Sequence, residues 1–167
     1  MTKLPMVQLR TLAPIVDRLQ SEGFDPLKVL EQFKITPKGL TDGGTFLTAP
    51  TMYKLAEQLC ELSSDPYFAV NVGASLATSG KRLHPSSTSS THTLQEALFF
   101  FSRRSSEAAS STEYSTLIRP DRTTFRAKRT SNYGTIPRHN DAFGAGYLLT
   151  MINAIVGNSW DGTHVVV

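Results

Sequence analysis

LCELSSDPYFAVNVGASL (residues 59–76) and THTLQEAL (residues 91–98) decide how this chain is read. They run from a helix end through the turn Ser63-Ser64-Asp65-Pro66 into the apolar segment Tyr67–Gly73, then across a polar stretch to a new helix start. Pro66, with its φ already set, opens a helix that Ser64 or Asp65 caps, which predicts a helix over 67–76. Thr93-Leu94-Gln95-Glu96 has the form of a capping box, in which the threonine oxygen and the glutamate carboxylate each satisfy an orphan backbone donor, so a further helix starts at Leu94. That helix presents Leu94, Ala97, Leu98 and Phe101 inward, with Phe99 and Phe100 flanking. It is expected to close in the basic pair Arg103-Arg104, which suits the negative end of the helix dipole.

Toward the N-terminus, Leu9, Leu12, Ile15, Val16 and Leu19 fall at helical spacing, with Pro14 tolerable near the helix start and Gly23 as the stop. Asp25-Pro26 caps a short helix carrying Leu27, Leu30 and Phe33 that ends before Pro37, and Lys38–Thr45 reads as loop. A helix from Thr48, with Pro50 in its first turn, aligns Met52, Leu55, Leu59 and Leu62.

Between the two helices of the opening stretch, 77–92 is Ser/Thr-rich and too poor in large apolar side chains to order itself strongly; it reads as a mobile loop with one short strand at 81–83. After the Leu94 helix the period changes. Ser111–Ile118 and Thr123–Thr130 alternate in polarity around Arg119-Pro120-Asp121-Arg122, the pattern of a β-hairpin. Residues 139–156 return to helix, with Phe143, Tyr147, Leu148, Met151, Ile152 and Ile155 on one broad face and Gly157 as its cap. A last strand, Thr163–Val167, follows Trp160. The fold class is therefore α+β, a helical N-terminal layer packed with a small, mostly antiparallel sheet.

The chain has 167 residues, 40% hydrophobic and 19% charged, enough for one domain with a real core and too little for two. Its apolar runs are far shorter than the ~20 residues that cross a bilayer. One cysteine, Cys60, allows no internal disulfide, and no leader precedes Met6, so a cytoplasmic location is expected. The net charge of +3 is a mild bias, below that of a dedicated nucleic-acid domain.

No catalytic signature competes with this scaffold. His84, His92, His139 and His164 lack ligand spacing, no serine sits in a nucleophile elbow, and Cys60 lies on the apolar side of a helical pattern, so neither metal nor cofactor nor enzyme activity is expected. Asp141, Gly144 and Gly146 lie inside a helix and read as small residues for close packing. Two groups carry a binding reading. Phe99, Phe100, Phe101, Tyr114, Phe125, Tyr133, Phe143 and Tyr147 would wall an apolar pocket between sheet and helices, or simply form core. Arg103, Arg104, Arg126, Lys128, Arg129 and Arg138 are the second group; Arg126 and Lys128 share one face of their strand, where they would pair with an anion or only solvate it. The specific expectation is a ligand site with Phe101, Phe125 and Tyr147 as walls and Arg126 or Lys128 at the mouth, its guest a small amphipathic carboxylate.

The order GFDPLKVLEQFKI, APTMYKLAEQLCELSSDPYFAVNVGASL, THTLQEALFFFSRR, a hairpin and WDGTHVVV resembles the N-terminal effector-binding and dimerisation region of one branch of AraC-type bacterial transcription regulators, over about Phe24 to Val167. Its marks are Asp65-Pro66, Gly73, the Thr93-Leu94 helix start and Trp160 before a strand. They are caps, turns and core positions, so the resemblance carries over no ligand-binding residue. It implies a single domain over 1–167 that binds a small-molecule effector, forms a homodimer and reaches DNA only through a C-terminal helix-turn-helix region. The uncharged Val165-Val166-Val167 terminus then reads as a cut at a domain boundary. The Ser/Thr-rich link departs from the family pattern. A small cytoplasmic enzyme or a ligand-free interaction module is the alternative.

Overall fold

The computed structural model describes residues 4–79, 93–120, 122–132, 134 and 136–157. The expected strands at 81–83 and 163–167, most of the Ser/Thr-rich link, Asp121, Tyr133, Trp160 and His84, His92 and His164 lie outside these residues.

Leu9, Leu12, Ile15, Val16 and Leu19 all bury one face, yet the segment carrying them is not one helix. It begins as strand β1 (Met6–Gln8), tightens through a 3-10 turn (Leu9–Leu12) and only then becomes α1 (Ala13–Ser21), which puts Pro14 in the first turn, where its missing N–H costs nothing. α1 ends as expected at Gly23, whose φ of +87° lets the Phe24 N–H reach back to the Leu19 carbonyl. The Asp25 carboxylate accepts from the Leu27 N–H and starts α2 (Leu27–Gln32). Here Val29 and Leu30 are the buried pair; Leu27, expected inside, is exposed.

Residues 38–45 are not all loop. Pro37 opens a single helical turn, α3 (Pro37–Thr41), and the chain then forms β2 (Phe46–Thr48), antiparallel to β1 with Val7 opposite Leu47. Strands of three residues show no alternation in the sequence; only the pairing reveals them. α4 (Ala49–Glu61) supplies Met52, Tyr53, Leu55, Ala56, Leu59 and Cys60 to the core, and α5 (Phe68–Thr78) adds Phe68, Ala69 and Val72. Desolvation in this core pushes the Cys60 thiol up to about 12, the reverse of a reactive cysteine.

α6 (Leu94–Ala108) begins with the capping box: the Glu96 N–H donates to the Thr93 hydroxyl and the Thr93 N–H to the Glu96 carboxylate. It runs past Arg103-Arg104, because Glu107 lies one turn on and pairs with both arginines. β3 (Thr112–Ile118) and β4 (Thr123–Arg129) form the expected hairpin, with Thr116 opposite Phe125 and Ser115 opposite Arg126. α7 (Arg138–Val156) ends at Gly157, φ +65°. The architecture is α+β: a mostly helical body with, among the described residues, two antiparallel two-stranded sheets.

Two devices join the parts. β1 also bridges Ala109 through Val7, and Tyr53 of α4 donates a buried hydrogen bond of 2.9 Å to the Ser111 hydroxyl at the foot of β3. α7 packs chiefly on α5, at reciprocal glycines. A Cβ on Gly73 would overlap the Phe143 carbonyl oxygen and stand 3.0 Å from the Tyr147 nitrogen; one on Gly146 would overlap the Val70 carbonyl. Gly146, read as a packing glycine, is one; Gly144 faces open space.

Candidate functional site

Side chains alternate across a strand, so the hairpin register sorts its residues into two faces. Thr112, Tyr114, Thr116 and Ile118 share one face with Phe125, Ala127 and Arg129; Glu113, Ser115 and Leu117 share the other with Thr124, Arg126 and Lys128. The second face is exposed along its whole length, while the first meets α6 and α7.

On the inner face the aromatic side chains gather. The Phe101 ring lies 5.6 Å from Tyr114, 5.9 Å from Phe125 and 5.8 Å from Tyr147, and Tyr114 stacks on Phe125. These offset and edge-to-face contacts fill the space between the rings. Burial raises the Tyr114 hydroxyl pKa, against the opposing pull of its hydrogen bonds with Thr112 and Ser105. Arg129 pairs with Asp141 in the first turn of α7, tying the end of β4 to that helix.

Next to this cluster, toward the distal end of the hairpin, α6 and β3 separate and leave an open groove of about 380 Å3 lined by Gln95, Glu96, Phe99, Phe100, Thr116 and Ile118. Phe99 is 60% exposed and Ile118 50%, large apolar surfaces that the described residues leave open. The Thr116 Oγ1 is closed off from solvent and has no hydrogen-bond partner among the described residues, so it presents no polar atom to the groove. The polar groups at the rim are the Gln95 amide and the Glu96 carboxylate.

A family model described as the arabinose-binding domain of the AraC transcription regulator, N-terminal, matches residues 23–167. The chain belongs to this family. As an AraC-type N-terminal domain it is a ligand-binding regulatory domain, and among its described residues no helix is long and apolar enough to cross a membrane. Comparison with curated proteins gives no match.

Of the residues expected to form the AraC-type effector site, the structure brings Phe101, Phe125 and Tyr147 together and leaves Arg126 and Lys128 apart from them, on the outer face of the hairpin. The cation on the aromatic face is Arg129, four residues after Phe125 and therefore of the same parity; that spacing was the available signal. Thr116 and Ile118 were missed because a groove between two elements is a property of their separation, which no local pattern encodes. His139 is engaged elsewhere. Its backbone N–H donates to Glu57 of α4 at 2.8 Å, and the carboxylate thereby anchors the positive end of α7. Among the described residues no group of three His, Cys, Asp or Glu side chains is placed to hold a metal ion.

Proposed function

We propose that this chain is the effector-sensing half of an AraC-type regulator, and that its effector enters the groove between α6 and β3. The observation that carries the reading is the groove itself, whose walls are the exposed large apolar side chains Phe99, Phe100 and Ile118. A small ligand there would remove apolar surface from water. The domain acts in the cytoplasm as a homodimer, does no chemistry on its ligand, and meets DNA through a separate domain.

Signal transfer follows from what the groove touches. Phe101 sits on the same helix as Phe99 and Phe100, and its ring stacks on Tyr147 of α7, while Arg129 holds β4 to Asp141 of α7. An effector that favours one spacing of α6 and β3 therefore biases the seat of α7, and a population shift rather than a wholesale refolding is the mechanism.

The test is a thermal-shift screen of small metabolites, with the family's sugar L-arabinose included. A ligand at 100 times its Kd stabilises the fold by about 2.7 kcal/mol. Phe99→Ser and Ile118→Ser change exposed positions and should abolish the shift while leaving the unliganded melt in place. A shift that survives both substitutions places the effector elsewhere. Sedimentation showing only monomer at high micromolar concentration would remove the dimer from the proposal.

A further inference from the structure

Resting on the reading of the chain as part of a DNA-binding regulator, we infer that the outer face of the β3–β4 hairpin is an additional, sequence-independent contact surface for the phosphate backbone of duplex DNA. Between Thr112 and Thr130 the sequence holds the cations Arg119, Arg122, Arg126, Lys128 and Arg129 against the carboxylates Glu113 and Asp121, an excess equal to the whole chain's net charge of +3. The register sorts these cations. Arg129 turns inward to Asp141 of α7, while Arg126 and Lys128 share the outer face. At the tip, Arg119 and Arg122 exchange both backbone hydrogen bonds, at 2.8 and 3.3 Å, which extends the ladder by one pair beyond Ile118 and Thr123. Parity puts that pair on the outer face as well, because Arg119 follows Leu117 by two residues and Arg122 precedes Thr124 by two.

The outcome is a stripe of four exposed cations that runs about 20 Å from Arg122 to Lys128, at roughly 3.4 Å per residue. Ser115 and Thr124 stand on the same face, and arginine, lysine, serine and threonine are the side chains that hold phosphate oxygens. Arg119 directly opposite Arg122 is a like-charge pair, and an anion seated against both offsets the repulsion. Among the described residues the register adds one carboxylate to this face, Glu113, opposite Lys128 at the end away from the tip. A protein partner fits less well. The one large apolar side chain on the face is Leu117, whereas a protein interface draws its energy from a cluster of buried apolar and aromatic anchors. Contacts of the phosphate kind hold a protein against a duplex without reading its sequence. The arginines of α6 differ in kind, since Arg103 and Arg104 both pair with Glu107.

The experiment titrates the 167-residue chain into two short fluorescein-labelled duplexes of unrelated sequence and reads anisotropy at about 50 and about 200 mM salt. Both duplexes should bind within twofold of each other, and with about three phosphates neutralised the fourfold rise in salt should weaken binding roughly 40-fold. Arg126→Gln combined with Lys128→Gln should lower the affinity at the lower salt about tenfold and flatten the salt dependence. Arg103→Gln combined with Arg104→Gln removes the same charge from α6 and should leave the affinity within twofold. In the unsubstituted, isotope-labelled chain, unlabelled duplex should move the Ser115, Thr124, Arg126 and Lys128 amides in NMR spectra, a readout that needs no variant to fold. Absence of binding at the lower salt, equal losses from the two double substitutions, or shifts confined to other elements would each overturn the surface. Poly-L-glutamate competing as well as DNA, charge for charge, would overturn the assignment to DNA in favour of an acidic protein. The groove between α6 and β3 is read by its own thermal-shift screen, so the effector site and this surface fail separately.

Discussion

At the crossing of α5 and α7 two helices meet backbone to backbone, whereas α6 and β3 stand apart and leave room for another molecule. Both places are built from small and apolar residues. At the first, Gly73 and Gly146 each make room for a carbonyl of the opposite helix, and the joint is shut. At the second, three consecutive phenylalanines are divided: Phe101 turns into the ring cluster, and Phe99 and Phe100 remain at the groove. A packed interface such as the first resists deformation, so any response to a ligand is concentrated where packing is incomplete.

The largest effect is expected from closing off the crossing's special geometry. Gly146→Ala or Gly73→Ala sets a methyl group against a backbone carbonyl, which only separation of the helices relieves, and each should destabilise the fold by about 3 kcal/mol or more. Gly144→Ala, two residues away on the same helix and facing open space, should instead stabilise by about 0.5–1 kcal/mol through helix propensity. Chemical denaturation of the three variants checks this. Equal effects at Gly144 and Gly146 would mean that the helices do not cross at these glycines.

The closed half also predicts a pH response. Cys60 holds its proton more tightly when folded, its pKa raised to about 12, so the unfolded chain releases a proton that the folded chain keeps, and stability falls as pH rises above the ordinary thiol range. Near pH 10.5 this amounts to about 2 kcal/mol. Cys60→Ala should cost roughly 1 kcal/mol at neutral pH and flatten the alkaline limb relative to the parent chain. Parallel limbs in the two proteins would show that the thiol is not desolvated. Tyr114, also shifted upward by burial, steepens the same limb in both.

The ring cluster lies between the two regimes, and Phe125→Ala probes it. Its half-buried ring stacks on Tyr114 and meets Phe101 edge-on, so the loss is expected to be about 1.5 kcal/mol, smaller than at the crossing. A loss above that at Gly146 would make the cluster, not the helix crossing, the centre of the fold.

How much of this was legible follows the range of the interactions. The capping box at Thr93 and Glu96, the stop at Gly23 and the hairpin are set by residues a few positions apart, and each stands where its local chemistry puts it, whereas the helix after Pro66 starts at Phe68 with Tyr67 at its N-cap and no side-chain cap from Ser64 or Asp65. β1 and β2 are three residues each and exist through partners some forty residues away, so nothing local announces them. α6 overran its expected end because a dipole argument placed a stop at Arg103-Arg104 while Glu107 offered both arginines a partner inside the helix. The ring cluster was legible from composition. The cation beside it required strand parity to be applied from Phe125 itself, which selects Arg129 and rejects its neighbour.

The smallest expected effect is the one that separates the two faces of the hairpin. Arg126 is exposed, lies opposite Ser115, and shares its face with the Glu113–Lys128 cross-strand pair. Arg126→Glu should therefore change stability by no more than about 0.5 kcal/mol, as expected of a surface charge with no buried partner. It should also leave ligand affinity at the groove unaltered, since the strand stands between the substituted side chain and Thr116. Thermal melts with and without a groove ligand read both quantities in one experiment. Loss of the ligand-induced shift in Arg126→Glu, with the unliganded melt intact, would move the effector to the basic outer face and return a carboxylate to consideration. An unchanged shift leaves the inner face as the surface that selects the ligand.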